Sequence, residues 1–146
     1  MSISTKCQYG VRALHELARR YGEGLVSIPV IADAQAIPER FLENILNQLR
    51  QGGFVESRRG KRGGFVLSRP PADITLDEVV RFIDGEIYEL DCEGANPTNR
   101  CRLRGSCVFL PIWKEAKAAI EGVFANKTLQ DIVDSERQAG STDYCI

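Results

Sequence analysis

Cys92, Cys101 and Cys107 fall in one polar stretch that reads Cys92-Glu93-Gly94-Ala95-Asn96-Pro97-Thr98-Asn99-Arg100-Cys101-Arg102-Leu103-Arg104-Gly105-Ser106-Cys107. The stretch has neither helical nor strand periodicity, so it reads as a loop that gains its order by holding something in its thiolates. Thiolates suit iron–sulfur clusters and zinc alike. Eight and then five residues separate the sulfurs, and His15 is the single histidine of the chain. That spacing is wider than the close pairs of zinc ribbons. Thiols that sense oxidants by pairing are a third chemistry for the same residues. Inert packing suits them least, because a polar loop has no core to fill. The balance favours an iron–sulfur cluster. Arg100, Arg102 and Arg104 fit that reading, since their charge stabilises thiolates.

The elements that must position this loop belong to a chain of 146 residues, about one domain in size. Apolar content of 43% and charged content of 27% are ordinary for a globular protein. No apolar run approaches ~18 residues, so no transmembrane helix is expected. The start, Met1-Ser2-Ile3-Ser4-Thr5-Lys6, lacks an apolar signal core. The expectation is a cytoplasmic protein, whose cysteines ligate or undergo redox chemistry rather than form structural disulfides. The net charge of −1 hides an asymmetry. Residues 1–70 carry eleven Lys/Arg against six Asp/Glu, whereas residues 71–146 carry eight against fourteen. A basic first half followed by an acidic remainder suits a phosphate-contacting face on one part of the chain.

Helical spacing of Leu14, Leu17, Ala18 and Tyr21 predicts an amphipathic helix over Gln8–Tyr21, stopped by Gly22-Glu23-Gly24. Ser27-Ile28-Pro29 opens a short second helix running through Ala34. Pro38 starts a third, Glu39–Gln51, with Phe41, Leu42, Ile45, Leu46 and Leu49 as its apolar stripe. Gly52-Gly53 ends it. The other face of this third helix carries Arg40, Glu43, Asn44 and Asn47, side chains able to meet base edges and phosphates. Glu43 is the specific one: a carboxylate repels phosphate but accepts from cytosine N4. Phe54–Arg58 and Gly64–Ser68 read as a hairpin. Its tip places Arg58, Arg59, Lys61 and Arg62 within five residues, a density that phosphate neutralises well. Three helices followed by a basic hairpin form the winged helix-turn-helix pattern.

Pro70-Pro71 marks a boundary, and Thr75 with Glu78 forms a capping box opening a helix to about Asp84, closed by Gly85. After the cysteine loop, Phe109, Ile112, Ala116, Ala119 and Val123 alternate by three and four. They make a coiled-coil-like seam, flanked by Trp113, Ile120 and Phe124. Such a seam favours pairing with a second copy. Thr128 to Asp131 caps a short last helix, and Ala139–Ile146, with Cys145, reads as a tail. His15 reads as a partly buried helix residue. No phosphate loop and no nucleophile–base arrangement is present, so no enzyme is expected.

Thr5-Lys6, Tyr9 and Val11, then Phe41-Leu42-Glu43, Arg59-Gly60 with Gly63-Gly64, and the three late cysteines together resemble the IscR- and NsrR-like winged-helix regulators, the Rrf2 family. The resemblance covers roughly residues 2–135. It implies a homodimeric transcription regulator whose third helix enters the major groove of palindromic operator DNA. It also implies that the wing touches the minor groove or backbone and that the long late helix pairs the protomers. In the resemblance, Cys92, Cys101 and Cys107 take the positions of cluster ligands, for one 2Fe–2S or 4Fe–4S cluster per protomer. The position of a histidine ligand in some members is here Leu110, which cannot ligate. Near the position of a ligand from the partner's first helix stand Gln8 and, beside it, Cys7. Cys7 of the partner protomer, a small-molecule thiol, water or Asp91 are the alternatives for the fourth site. A cluster-free regulator responding to thiol oxidation or to a docked protein is the other reading.

The expected fold class is thus mainly α with a small β-hairpin wing. The expected organisation is a winged helix-turn-helix domain over 1–72, a connecting helix and cysteine loop over 73–108, a dimerisation helix and short last helix over 109–138, and a tail over 139–146.

Overall fold

A computed structural model describes residues 3–86, 101–103 and 105–142. The chain runs α1 (Thr5–Arg19), α2 (Ile28–Gln35), α3 (Glu39–Gln51), β1 (Val55–Arg58), β2 (Gly64–Leu67), α4 (Leu76–Asp84), α5 (Leu110–Ala125) and α6 (Leu129–Thr142). A single 3₁₀ turn, Pro71–Asp73, leads into α4. This is the mainly helical, hairpin-bearing architecture expected from the sequence.

Helix α1 starts three residues earlier than its apolar period suggests. Ser4 caps it by accepting from the Cys7 amide at 3.0 Å. Ser4 is itself held by Asp84, at the end of α4, through its amide (2.8 Å) and its hydroxyl (2.5 Å). The helix also stops sooner, so Tyr21 lies outside it and is half exposed. In α2, Ser27 occupies the cap position without a side-chain bond, and Pro29 sits in the first turn. Ala36 then takes the left-handed conformation (φ 49°, ψ 50°), and the Ile37 amide returns to the Ala32 carbonyl at 2.9 Å. That tight turn sets α3 against α2 as a helix-turn-helix.

The strands pair antiparallel from Val55↔Leu67 to Arg58↔Gly64. A short bridge adds Val26 to the open side of β2, with Phe65 and Val26 exchanging both backbone bonds (2.8 and 2.9 Å). A side chain at Gly64 would run into the Val26 carbonyl. The capping box of α4 is complete: the Glu78 amide donates to Thr75 Oγ1 (3.2 Å) and the Thr75 amide to Glu78 Oε2 (2.9 Å).

Helix α6 is longer than expected and reaches Thr142, four residues into the anticipated tail. Thr128 and Asp131 cap it reciprocally (2.8 and 3.1 Å). The Thr75↔Thr128 bridge, with Leu129 donating to the Ile74 carbonyl (3.0 Å), fastens it to the start of α4. The core therefore joins both ends of the chain. Leu14, Leu17, Ile31, Leu42, Leu46 and Leu49 pack with Ile74, Val79, Leu129 and Val133. Each such side chain contributes about 1.5–3 kcal/mol by leaving water.

Glu16 is the one charged residue buried in that core among the described residues, at 1% exposure. Arg20 (2.6 Å), Arg19 (3.2 Å) and the Gln35 amide (2.9 Å) all donate to its carboxylate, which ties α1 to the end of α2. Burial pushes the Glu16 pKa up, but the bonds from Arg20 and Gln35 and the charges of Arg19 and Arg20 outweigh burial and leave it below its ordinary value. A lowered carboxyl pKa contributes stability above the usual carboxylate range, and that stability is lost as pH falls through the folded value. Glu16→Ala should therefore destabilise the protein by about 1–3 kcal/mol at neutral pH. In urea unfolding, the gap to wild type should close as the pH drops below the usual carboxylate range. An equal gap at neutral and acid pH would contradict the assignment.

Candidate nucleic-acid interface and cysteine segment

Helix α3 buries Leu42, Ile45, Leu46 and Leu49. With 3.6 residues per turn, these leave Glu43, Asn47, Arg40, Asn44 and Gln48 as one contiguous solvent arc. Arg40, Glu43 and Asn44 are exposed, and Asn47 is half-buried. The structure thus brings the four expected reading residues onto one face. Phe41 departs from expectation. It lies about 100° from Leu42 around the helix, at the stripe's edge, and is 45% exposed rather than in the core. The Arg40 guanidinium stacks over its ring, 4.6 Å from the centroid.

Phe41 also forms one wall of a groove of about 540 Å³, which Lys6 and Tyr9 of α1 face from the other side. Asn44, Ile45 and Gln48 line it too. Neither the groove nor the exposure of Phe41 is visible in the pattern of apolar residues. Arg12, beside Tyr9, donates to the Gln35 carbonyl and so caps α2.

At the wing, Arg58, Arg59, Lys61 and Arg62 are all exposed. None of the four forms an ion pair within the described residues. Gly60 has φ 116°, and the Gly63 amide closes the tip onto its carbonyl at 2.9 Å. Gly63 has no space for a side chain against the Arg58 carbonyl. The tip lies beside the α1–α2 connection and the start of α2, where Lys61 and Arg62 share a cleft with Arg20 and Ser27. Arg50, at the end of α3, donates to Ser57 of β1 (3.0 Å), which fixes the wing relative to the helix.

Of the three loop cysteines, Cys101 is exposed, Cys107 is half-buried, and both are free thiols. Cys92, Asp91, Arg100, Arg104 and Cys145 lie outside the described residues. The chain turns at 102–103, 105–106 and 108–109, with Gly105 at φ 91° and the Leu110 amide closing onto the Cys107 carbonyl at 3.4 Å. Cys107 therefore abuts the start of α5. No group of three metal-ligating side chains occurs among the described residues.

Cys7 is fully buried against Val80, under Ile120 and Phe124 of α5. Burial, and then Asp84 by charge and hydrogen bond, push its pKa up to about 11. The thiol is thus held protonated between α1, α4 and α5. His15 is partly buried, as expected for a residue on this helix. Its Nε2 lies 3.3 Å from Glu136 of α6, and its buried Nδ1 has no partner among the described residues.

Helix α5 buries no residue completely. Ile120 and Phe124 lean on the Cys7–Val80 cluster, while Val108, Phe109, Ile112, Trp113 and Val123 stand exposed. Phe109 and Trp113 contact each other, with ring centroids 6.5 Å apart. Arg81 of α4 bridges Asp77 (2.8 Å), Glu86 (2.9 Å) and Glu121 of α5 (3.1 Å). Among the described residues no helix is long and apolar enough to cross a membrane.

The family model described as "Rrf2: Iron-dependent Transcriptional regulator" matches residues 3–135. The HTH-type transcriptional regulator CymR of Bacillus subtilis is 34% identical over 143 residues, covering 95% of this chain and 96% of that protein. The solved structure of T. potens IscR superposes with a TM-score of 0.75 at 33% identity, covering 95% of this chain and 90% of that one. The structure titled as CymR, the global cysteine regulator of B. subtilis, gives 0.76 at 31% identity, covering 92% and 98%. With a helix-turn-helix, a basic wing and this likeness over nearly its whole length, the chain belongs to the Rrf2 family of helix-turn-helix transcriptional regulators.

Proposed function

We propose that this regulator binds operator DNA as a homodimer and that Cys92, Cys101 and Cys107 hold an iron–sulfur cluster that governs the binding. The observation that carries the reading is the set of three cysteines in one polar segment between α4 and α5. Its two described thiols are free and reachable, and Cys107 abuts the dimer helix. The donor set fits: soft thiolates beside arginines suit such a cluster. When bound, the cluster would supply ligation that responds to iron, redox or nitric oxide status. For Cys7 to serve as the fourth ligand, the first turn of α1 must leave α4. That move breaks the Ser4–Asp84 bonds and exposes a thiol held protonated.

The chain's own residues supply a route from that segment to the reading helix. Glu86 is the last described residue before the segment. Arg81 holds it at 2.9 Å, and Lys117 of α5 stands at 3.9 Å. Two residues of α4 then press on glycines of the reading domain. A methyl group at Gly10 would lie 2.6 Å from Ile83 Cδ1, and one at Gly52 would lie 2.5 Å from Phe82 Cζ. Phe82 also meets Phe54 at 5.3 Å, next to the start of the wing. A shift of α4 must therefore move α1 and the end of α3 with it. The exposed Phe109, Ile112, Trp113 and Val123 support pairing of two α5 helices, and a two-fold dimer matches palindromic operators.

Purification without air tests the reading. The expected protein is brown, carries iron and sulfide in proportion to the chain, and runs as a dimer in sedimentation. A colourless dimer that binds DNA but lacks iron and sulfide would overturn the cluster and leave the second reading. On that second reading, the exposed Cys101 responds to oxidants, or the regulator answers to a partner protein. It is favoured by the likeness to a protein titled a cysteine regulator.

A further inference from the structure

The groove between α1 and α3 is apolar on a face otherwise built for polar contacts, and the interface described above leaves it unexplained. Its polar rim holds Lys6, Asn44 and Gln48, and its apolar wall is Tyr9, Phe41 and Ile45. Phe41 stands in the first turn of α3, and the N-terminal turns of a reading helix are those that meet base edges. Its ring is 45% exposed and steadied by the Arg40 guanidinium. A phenyl ring has no atom that can bond to phosphate. The apolar feature that the major groove offers to a side chain is the C5-methyl of thymine.

We infer that Phe41 reads thymine: its ring, with Tyr9 and Ile45 behind it, receives the C5-methyl of one thymine in each operator half-site. The inference rests on the DNA-binding reading and is continuous with that surface. Asn44 lies one turn from Phe41 on the same side of α3, and an amide is suited to adenine N6 and N7. An adenine bonded by Asn44 or Gln48 sets a thymine on the opposite strand of the same base pair, with its methyl in the same groove. Lys6, which lines the groove, and Arg40, stacked on Phe41, match the phosphates that flank such a step.

The test uses the full-length protein and duplexes it selects from a random-sequence library. Each thymine of the selected half-site is replaced by deoxyuracil, which removes only the methyl. One replacement per half-site removes two methyls from the palindrome and should weaken wild-type binding by about fifteenfold, about fourfold for each buried methyl-sized group. Phe41→Ala should bind more weakly overall yet not distinguish the thymine duplex from the uracil duplex, and Phe41→Leu should regain part of the distinction. A looser Arg40 alone would lower affinity without erasing that distinction.

The inference fails if wild type tolerates uracil at every position, which would leave the groove to another apolar occupant such as a small effector. It also fails if Phe41→Ala loses as much on replacement as wild type does. A wild-type protein that selects no sequence at all would overturn the DNA-binding reading, and this inference with it.

Discussion

Cys101→Ser protein, purified without air, should carry more than about tenfold less iron and sulfide than wild type. Even outer-shell partners of a metal ligand are worth about 10–100-fold in affinity, so loss of a thiolate ligand costs at least as much. The result is readable because Cys101 is exposed and lies outside the core. The variant should fold and dimerise normally, so missing iron reports on ligation rather than on folding. Cys7→Ala is the contrast. Its thiol is buried against Val80 and protonated, and the expected visible spectrum is that of wild type. Equal iron in wild type and Cys101→Ser would remove Cys101 from the ligand set. A Cys7→Ala spectrum that collapses would show that the first turn of α1 does open.

The second large effect belongs to the wing. Arg59→Ala should weaken operator binding and lower the slope of log affinity against log salt by about 0.9, the counterion released by one phosphate contact. The wing is well placed for a clean reading, since Arg58, Arg59, Lys61 and Arg62 are exposed and pair with no described carboxylate. Substitution there breaks nothing inside the fold. Fluorescence anisotropy across a salt series measures the slope. Slope and affinity both equal to those of wild type would take Arg59 off the DNA. Loss of affinity with an unchanged slope would mean that Arg59 reads a base instead.

Much of this arrangement was legible in the residues because punctuation and period agree there. Pro38 and Gly52-Gly53 bracket α3 at the bounds its residues predict, and Thr75 with Glu78 closes the expected capping box. What escaped the reading depends on contacts across the fold. The early start of α1 needs Ser4, and Asp84 holds Ser4 from eighty residues away. The length of α6 escaped because its apolar residues Leu129, Ile132 and Val133 stand only in its first turns. A polar remainder shows no period. Phe41 counts as apolar wherever it stands, and only the packed helix reveals that it faces outward. Cys7 stands beside a ligand position in sequence, but its burial against Val80, which sequence spacing does not show, decides its chemistry.

The fastening of α6 has a consequence for how the molecule can be taken apart. Leu129 and Val133 fill the same core as Leu14 and Leu46, and Leu76 donates its amide to the Lys127 carbonyl at 2.8 Å. A fragment cut after the wing would bare that apolar surface to water and forfeit several kilocalories from a total that is only about 5–15 kcal/mol. The reading head is not a detachable cassette. Any chimera that transplants its specificity onto a different sensor must bring the closing helix along, or supply a substitute for it.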